Sequence, residues 1–556
     1  MILHADVRTM DAAHPHATAI AISGANITYV GDDASSFIGP HTDVHDLGGR
    51  SVTPGLVDAH CHVYGLGVDL ESIDLRALAT EQAAAAAVIE GAKRIPAGEW
   101  VLGRGWDQNR WPGQTFPSHD TIDAIDRPVV LTRIDGHAIW VNTAAMKAAG
   151  ITSNTPNAEG GKIVRRSNAP TGVFVDLAMA LVIRAMPSAP PEVRERRLRN
   201  GLSKLAAVGL TGVHEMGLER ETIAVLEKLA AAGQLPVHVY AYLLGDPAHP
   251  PEDSPKPAVG RFEMRGVKFY ADGALGSRGA RLYADYDDDP GNRGLWVTEP
   301  ATLTRGVEAA VAHGWQVATH AIGDAAVGAV LDAYLAAEKS HPGDLRLRVE
   351  HNQIIAPQDE PKMVAAHAIA SMQPTHATSD MPWAEARVGK VRIQGAYAWR
   401  KMLALGVPFA AGSDFPVERI SPLLGLYAAV TRQDADGNPP GGWYPDQRMS
   451  LDEAIAAFTR GAAYASFAED HRGMIAVGFE ADLTTYDRAL SPMNLKDLAV
   501  ELTIVDGKIT YQHAHDAPPH VETAAYGPKM EGGGPAPTPG PKMEGGGPAP
   551  TPGIDD

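Results

Sequence analysis

Between residues 268 and 414, strand-like apolar runs alternate with Ala-rich helical runs, and each of four strand-like runs carries a residue able to ligate or bridge a metal. GVKFYADG carries Lys268, QVATH ends at His320, RLRVEH ends at His351, and PFAAGSD ends at Asp414. Alternation of strand and helix forces parallel pairing, because each helix carries the chain back across the sheet. In an eight-stranded α/β barrel the functional groups sit at the carboxyl ends of the strands. The spacing agrees with that architecture, since one βα unit averages about 31 residues. His320 and His351 are 31 residues apart, and His351 and Asp414 are 63 apart with the run AIASMQPT between them. Lys268 and His320 are 52 apart, one unit plus a loop through YADYDDDPGNRG.

The run VDAHCH places His60 and His62 two positions apart, so that both imidazoles face one side of a strand and Cys61 faces the other. From His60 to Lys268 is 208 residues. Three units take about 93, so roughly 115 residues are inserted. The ligand-type residues then fall on strands one, four, five, six and eight. The expected fold is an α/β, TIM-like (β/α)8 barrel over residues 53–470, with a long insertion between strands 1 and 4.

Both chain ends have a different texture. TAIAISGANITYVG near the start and LAVELTIVDGKITYQ near the end alternate apolar and polar residues between turn residues. Residues 1–52 and 471–515 are expected to form one small β-sandwich domain. Residues 521–556 read as a disordered Gly/Pro-rich tail, in which the 13 residues GPKMEGGGPAPTP occur twice in tandem.

Composition narrows the partners. Lys+Arg 48 against Asp+Glu 67 gives a net charge of −19, a poor surface for nucleic acid or anionic lipid. The single cysteine, Cys61, allows no intrachain disulfide. No leader-like or membrane-spanning run is legible, so a cytoplasmic location is expected, with no membrane partner. A homodimer is left open.

The order of ligand-type residues resembles the metal-dependent amidohydrolase superfamily. The motifs GRGWDQNRW (103–111), RIDGHAIWVN (133–142), PTGVFVD (170–176), VKFYADGALGSRGA (267–280), THAIGDAA (319–326), VEHNQI (349–354) and GSDFPV (412–417) look like its N-substituted formamide deformylase branch. The resemblance spans about residues 1–515. It implies one or two divalent metal ions, zinc first. It assigns His60, His62 and Asp414 to one metal and His320 and His351 to the other, with Lys268 bridging as a carbamate. It also implies attack on a carbonyl by a metal-activated hydroxide, with Asp414 shuttling the proton to the leaving nitrogen. The expected activity is hydrolysis of a linear C–N amide bond, of the N-substituted formamide or N-acyl amine type. A cyclic amide or lactone hydrolase is the alternative, and a non-catalytic regulator with the same fold is a third reading.

Further candidates come from position. Tyr270 and Asp272 share the Lys268 face, and Tyr270 is placed to donate to an oxyanion. His137, closing the run RPVVLTRIDGH on what reads as an early barrel strand, is a candidate to bind the carbonyl or leaving group. Asp58 shares the face of His60 and His62, as an outer-shell partner or a solvated acid. Gln373 and His376 follow strand seven. Arg133 and Arg278 are candidates for a substrate carboxylate. Aromatic residues concentrate in loops: Trp106, Trp111, Phe116 and Trp140, then Trp296, Trp383, Trp399, Trp443 and Tyr444. They suggest a small-molecule amide with an apolar or aromatic substituent.

Overall fold

Eight parallel strands run in sequence order around the centre of the fold: Leu56–Cys61, Leu210–Leu218, His238–Leu244, Phe262–Tyr270, Gln316–Ala321, Arg348–His351, Ile369–Met372 and Phe409–Ala411. The computed structural model describes residues 1–513 apart from 77, 109–110, 134–137 and 159–160, and apart from the side chains of 176–177. The Gly/Pro-rich tail lies outside the described residues. Backbone bonds from Asp414 N to His60 O (2.7 Å) and from His62 N to Phe415 O (2.9 Å) join the turn after strand eight to strand one. Gly412 permits this approach, because a Cβ there would collide with the His60 backbone nitrogen. The chain has a TIM-like barrel.

The strands are buried on both faces, as the apolar runs require. Helices follow them with an apolar stripe inward. Arg220–Ala231 buries Ile223, Leu226, Leu229 and Ala230, a spacing of three to four residues. Asp324–Ser340 buries Val327, Val330, Leu331 and Tyr334 in the same way.

The described residues divide into two compact units, Met1–Ser72 together with 189–513, and Ile73–Ser188. In the first unit, strands from both chain ends pair within one sheet. Its order is Lys508–Gln512, Val500–Val505, Leu483–Tyr486, Ser51–Pro54, Asp6–Arg8, His16–Ala17. Leu483 lies opposite Pro54 and Thr484 opposite Thr53, antiparallel. A four-stranded sheet of Asn26–Gly31, Ala19–Ser23, Ile2–Leu3 and His45–Asp46 accompanies it. Ile2, Val7, Ile20, Ile27, Val52, Leu483 and Ile504 share one apolar cluster.

The second unit corrects one expectation. Val129–Arg133 is not a barrel strand. It pairs parallel with Val101–Trp106 and antiparallel with Ala138–Val141 inside a separate six-stranded sheet. An alternating apolar run has the same periodicity in either sheet, so only its pairing partners decide. The whole unit enters between barrel strands one and two.

The early aromatics are corrected with it. Trp106, Trp111, Phe116 and Trp140 pack on one another at ring separations of 6.1–6.4 Å, and the three tryptophans are buried. Each indole N–H donates to a carbonyl, of Leu131, Leu78 and Ser118 respectively. The three tryptophans belong to one of this unit's two apolar clusters. Large rings bury more apolar surface per residue than aliphatic side chains, so they contribute strongly to this unit's stability.

Candidate metal centre

Strand one delivers His60 and His62 to the carboxyl end of the barrel, and what fixes each ring is a bond at its other nitrogen. His60 Nδ1 meets Glu350 Oε2 at 2.6 Å, and His62 Nδ1 meets the Met216 carbonyl at 3.0 Å. His351 Nδ1 meets Gln373 Oε1 at 2.9 Å. With Nδ1 occupied, Nε2 of each ring faces inward, the arrangement that orients metal-binding imidazoles.

His351 reaches the mouth through its backbone. Along RVEH, Arg348 and Glu350 share the inward face, so simple alternation would turn His351 away. His351 instead takes φ 70° and Asn352 φ 40°, left-handed values that swing the imidazole round. Asp414 does the same at φ 63°. Its Oδ1 lies 3.0 Å from His62 Nε2 and 3.6 Å from His60 Nε2, and its Oδ2 lies 3.6 Å from His376 Nε2. Ligand atoms of His60, His351 and Asp414 lie within 4.8 Å of one another. This trio crosses the division between two metals that the resemblance implies. The rings of His351 and His320 stand 4.6 Å apart, and those of His320 and Tyr270 5.5 Å apart. Lys268 Nζ lies 5.2 Å from the Tyr270 ring centre.

Burial decides the charge states. It lowers the pKa of His60 to about 4 and of His320 to about 3, with the Lys268 charge adding to the effect. Burial also brings Lys268 down to about 8, against the pull of Glu350 and Asp414. Burial would raise Asp414, but its bond to His62 and the neighbouring imidazoles hold it well below the usual carboxylate range. Burial raises Tyr270, which stays a neutral donor. Burial would lower His62, but its bond to Asp414 raises it, so the site presents neutral imidazoles at His60 and His320 and a His62–Asp414 pair.

A divalent ion fits this donor set. Among the described residues Lys268 Nζ and His320 Nε2 are buried without a hydrogen-bond partner, which is costly for groups facing only protein. Imidazole with carboxylate oxygen is what zinc and related ions take.

Beneath the mouth is a group that sequence reasoning missed. Arg348 is fully buried inside the barrel, and its guanidinium reaches five strands. It donates to Glu350 at 2.7 and 3.1 Å, to Ala59 O at 2.6 Å, to Ser371 Oγ at 2.9 Å and to Tyr242 Oη at 3.1 Å, and it meets His214 Nδ1 at 2.8 Å. Glu350, held ionised by this guanidinium despite its burial, in turn orients His60. The period-two spacing of Arg348 and Glu350 in RLRVEH was the available signal. Glu215 was missed too. It accepts from the backbone of Val63 (2.5 Å) and Tyr64 (3.2 Å), fixing the helix Val63–Glu71 that follows His62.

Other candidates find structural work. Asp58 accepts from His60 N, Ser413 N and Ser413 Oγ, clamping the turn that carries Asp414 rather than touching an imidazole. Asp272 accepts from the backbone of Ile322, Gly323 and Arg281, and lies 3.6 Å from His320 Nε2. Arg278 is paired with Asp288, and Arg133 with Asp107 and Gln108, so neither is a free carboxylate receptor. Cys61 is buried with its thiol 3.6 Å from the His214 carbonyl, and burial raises its pKa. His137 lies outside the described residues.

A family profile described as "Amidohydrolase family" matches residues 43–511. The Bacillus subtilis (strain 168) protein named "Putative amidohydrolase YtcJ" is 34% identical over 485 residues, covering 85% of this chain and 91% of that one. The N-substituted formamide deformylase of Arthrobacter pascens is 28% identical over 539 residues, 92% of this chain and 98% of that protein. An uncharacterized metal-dependent hydrolase from Pyrococcus horikoshii superposes with a TM-score of 0.75 at 26% identity, over 89% of this chain and 98% of that structure. With ligand-type residues gathered at the barrel mouth and likenesses running the length of the fold, this chain belongs to the amidohydrolase family.

Proposed function

We propose that this chain hydrolyses a linear C–N amide bond of the N-substituted formamide or N-acyl amine type. The observation that carries the reading is the convergence of His60, His62, Lys268, His320, His351 and Asp414 at one end of the barrel, with Lys268 Nζ and His320 Nε2 lacking a hydrogen bond among the described residues. The full-length likeness to a protein named N-substituted formamide deformylase supports the bond type.

Divalent ions, zinc first, held by these residues supply a Lewis acid and lower the pKa of a water molecule. The chain's own groups do the rest. Asp414, ionised and 3.0 Å from His62, takes the proton of the attacking water and returns it to the leaving nitrogen. Tyr270, neutral, donates to the oxygen that gains charge. The net change is amide plus water to amine plus carboxylic acid. Lys268, with its pKa lowered to about 8 by burial, would add carbon dioxide at Nζ and release a proton, and the resulting carbamate would join the imidazoles and Asp414 in holding the metal. Trp296 and Trp383, half-buried on the loops after strands four and seven, support an apolar substituent on the substrate. We also read the two sheets of the chain ends, which share one apolar cluster, as a single sandwich.

The test is a substrate panel of N-benzylformamide, N-acyl amino acids, dihydropyrimidines and lactones on metal-loaded enzyme. Turnover limited to the ring substrates would move the activity to cyclic amides or lactones. No turnover by fully loaded protein would leave a non-catalytic role. For the bridge, enzyme stripped with chelator in carbon dioxide-free buffer should regain activity only with both metal and bicarbonate. Lys268→Ala should lose at least one bound ion, and two retained ions with full activity would remove the carbamate.

A further inference from the structure

We propose that the opposite, N-terminal end of the barrel holds a structural divalent-cation site made by His238, Asp482, Asp506 and Glu480. His238 opens the third barrel strand. Glu480 and Asp482 precede the strand Leu483–Tyr486, and Asp506 sits in the turn between Val500–Val505 and Lys508–Gln512. One ligand atom from each of the four lies within 4.8 Å of the others.

The imidazole is what distinguishes this cluster from a group of surface acids. His238 is only 8% exposed, and neither ring nitrogen makes a hydrogen bond among the described residues. Nε2 nevertheless lies 3.2 Å from Asp482 Oδ2, 3.3 Å from Asp506 Oδ1 and 3.8 Å from Glu480 Oε2, close but not aligned as hydrogen bonds. Nitrogen and oxygen ligands of one ion, each about 2.1 Å from it, stand about 3.0–3.4 Å apart in tetrahedral or octahedral geometry. The first two separations match that range.

The carboxylates are held for the purpose. Asp482 Oδ1 accepts from Asp506 N at 2.9 Å, leaving Oδ2 towards His238. Asp506 Oδ2 accepts from Arg261 Nε at 2.6 Å, leaving Oδ1 towards His238. Glu480 is tied to Arg472 at 2.5 Å and is the farthest of the three carboxylates from His238 Nε2. Three carboxylates against two guanidinium groups leave one net negative charge beside His238, whose pKa Asp482 and Asp506 raise against the effect of burial. A cavity of about 60 Å³ bordered by His238, Asp482, Arg261, Glu263 and Arg472 has room for the few water molecules that complete a coordination shell. One imidazole with carboxylates suits Zn²⁺ or Mn²⁺. Such an ion would clip strand three of the barrel to the last sheet, across sequence separations of 244 and 268 residues to Asp482 and Asp506.

The experiment strips the full-length protein with chelator, reloads it with Zn²⁺ or Mn²⁺, and reads bound ions per chain and Tm together. His238→Phe and Asp482→Asn should each bind one ion fewer than wild type and lose one ion-dependent step in Tm. Glu480→Gln, at the most distant of the three carboxylates, should fold normally and weaken the extra ion by roughly tenfold. Equal ion counts in wild type, His238→Phe and Glu480→Gln would overturn the site. A lower Tm of His238→Phe in chelator alone, with unchanged ion counts, would mean an imidazolium paired with Asp482 and Asp506 instead.

Discussion

Asp414 carries a backbone cost and a chemical role in one residue. A non-glycine residue at φ 63° costs roughly 1–3 kcal/mol, and the surrounding bonds to His60 and Asp58-clamped Ser413 hold it there. Asn tolerates the same conformation and keeps a coordinating oxygen, but it carries no proton. Asp414→Asn should therefore retain most of its metal while kcat on an amide falls about 10²–10⁴-fold. The loss should be smaller on an activated aryl ester, whose leaving group needs no proton. Comparing the two substrates at equal metal occupancy checks this, and an equal loss on both would limit Asp414 to metal binding. Arg348 has a different weight. Arg348→Met leaves Glu350 charged and buried without its guanidinium, a change that costs about 3–5 kcal/mol. Denaturant unfolding should show that loss, and metal affinity should fall because the carboxylate that orients His60 is no longer anchored. A stability within about 1 kcal/mol of wild type would show that Glu350 had simply taken up a proton.

At the scale of elements, the helix behind the site depends on a close approach. Val63–Glu71 crosses Pro191–Leu205 at Gly67 and Gly201. A Cβ on Gly67 would collide with the Arg197 carbonyl, and one on Gly201 with the Val63 carbonyl. Gly67→Ala must push apart two backbones, and such overpacking costs about 1–3 kcal/mol. Because this helix starts immediately after His62, the shift should also reduce metal occupancy. Thermal melts and metal analysis of Gly67→Ala measure both, and an unchanged melt would show that the helices slide apart freely.

At the scale of the molecule, the last sheet joins residues hundreds of positions apart. Ser51–Pro54 lies between Asp6–Arg8 and Leu483–Tyr486, so ending the chain at residue 480 exposes a long unpaired edge and opens the apolar cluster around Val52 and Ile504. The truncated chain should be recovered in inclusion bodies. A soluble, cooperatively melting product would show that the barrel does not need those strands.

The sequence alone determined the barrel and its ligand-type residues, because both are local signals. Strand–helix alternation is written in periodicity, and His320, His351 and Asp414 follow strand-like runs spaced by whole βα units. Other facts were decided by tertiary structure. Val129–Arg133 looked like a barrel strand because pairing partners leave no trace in an alternating run. Trp106, Trp111 and Trp140 looked like a pocket wall because a large ring reads the same in a core. Arg348 and Glu350 escaped notice because a buried ion pair has meaning only where five strands meet around it. The inward turn of His351 was hidden for a similar reason. It rests on a left-handed backbone angle that no residue type demands and that the surrounding contacts impose.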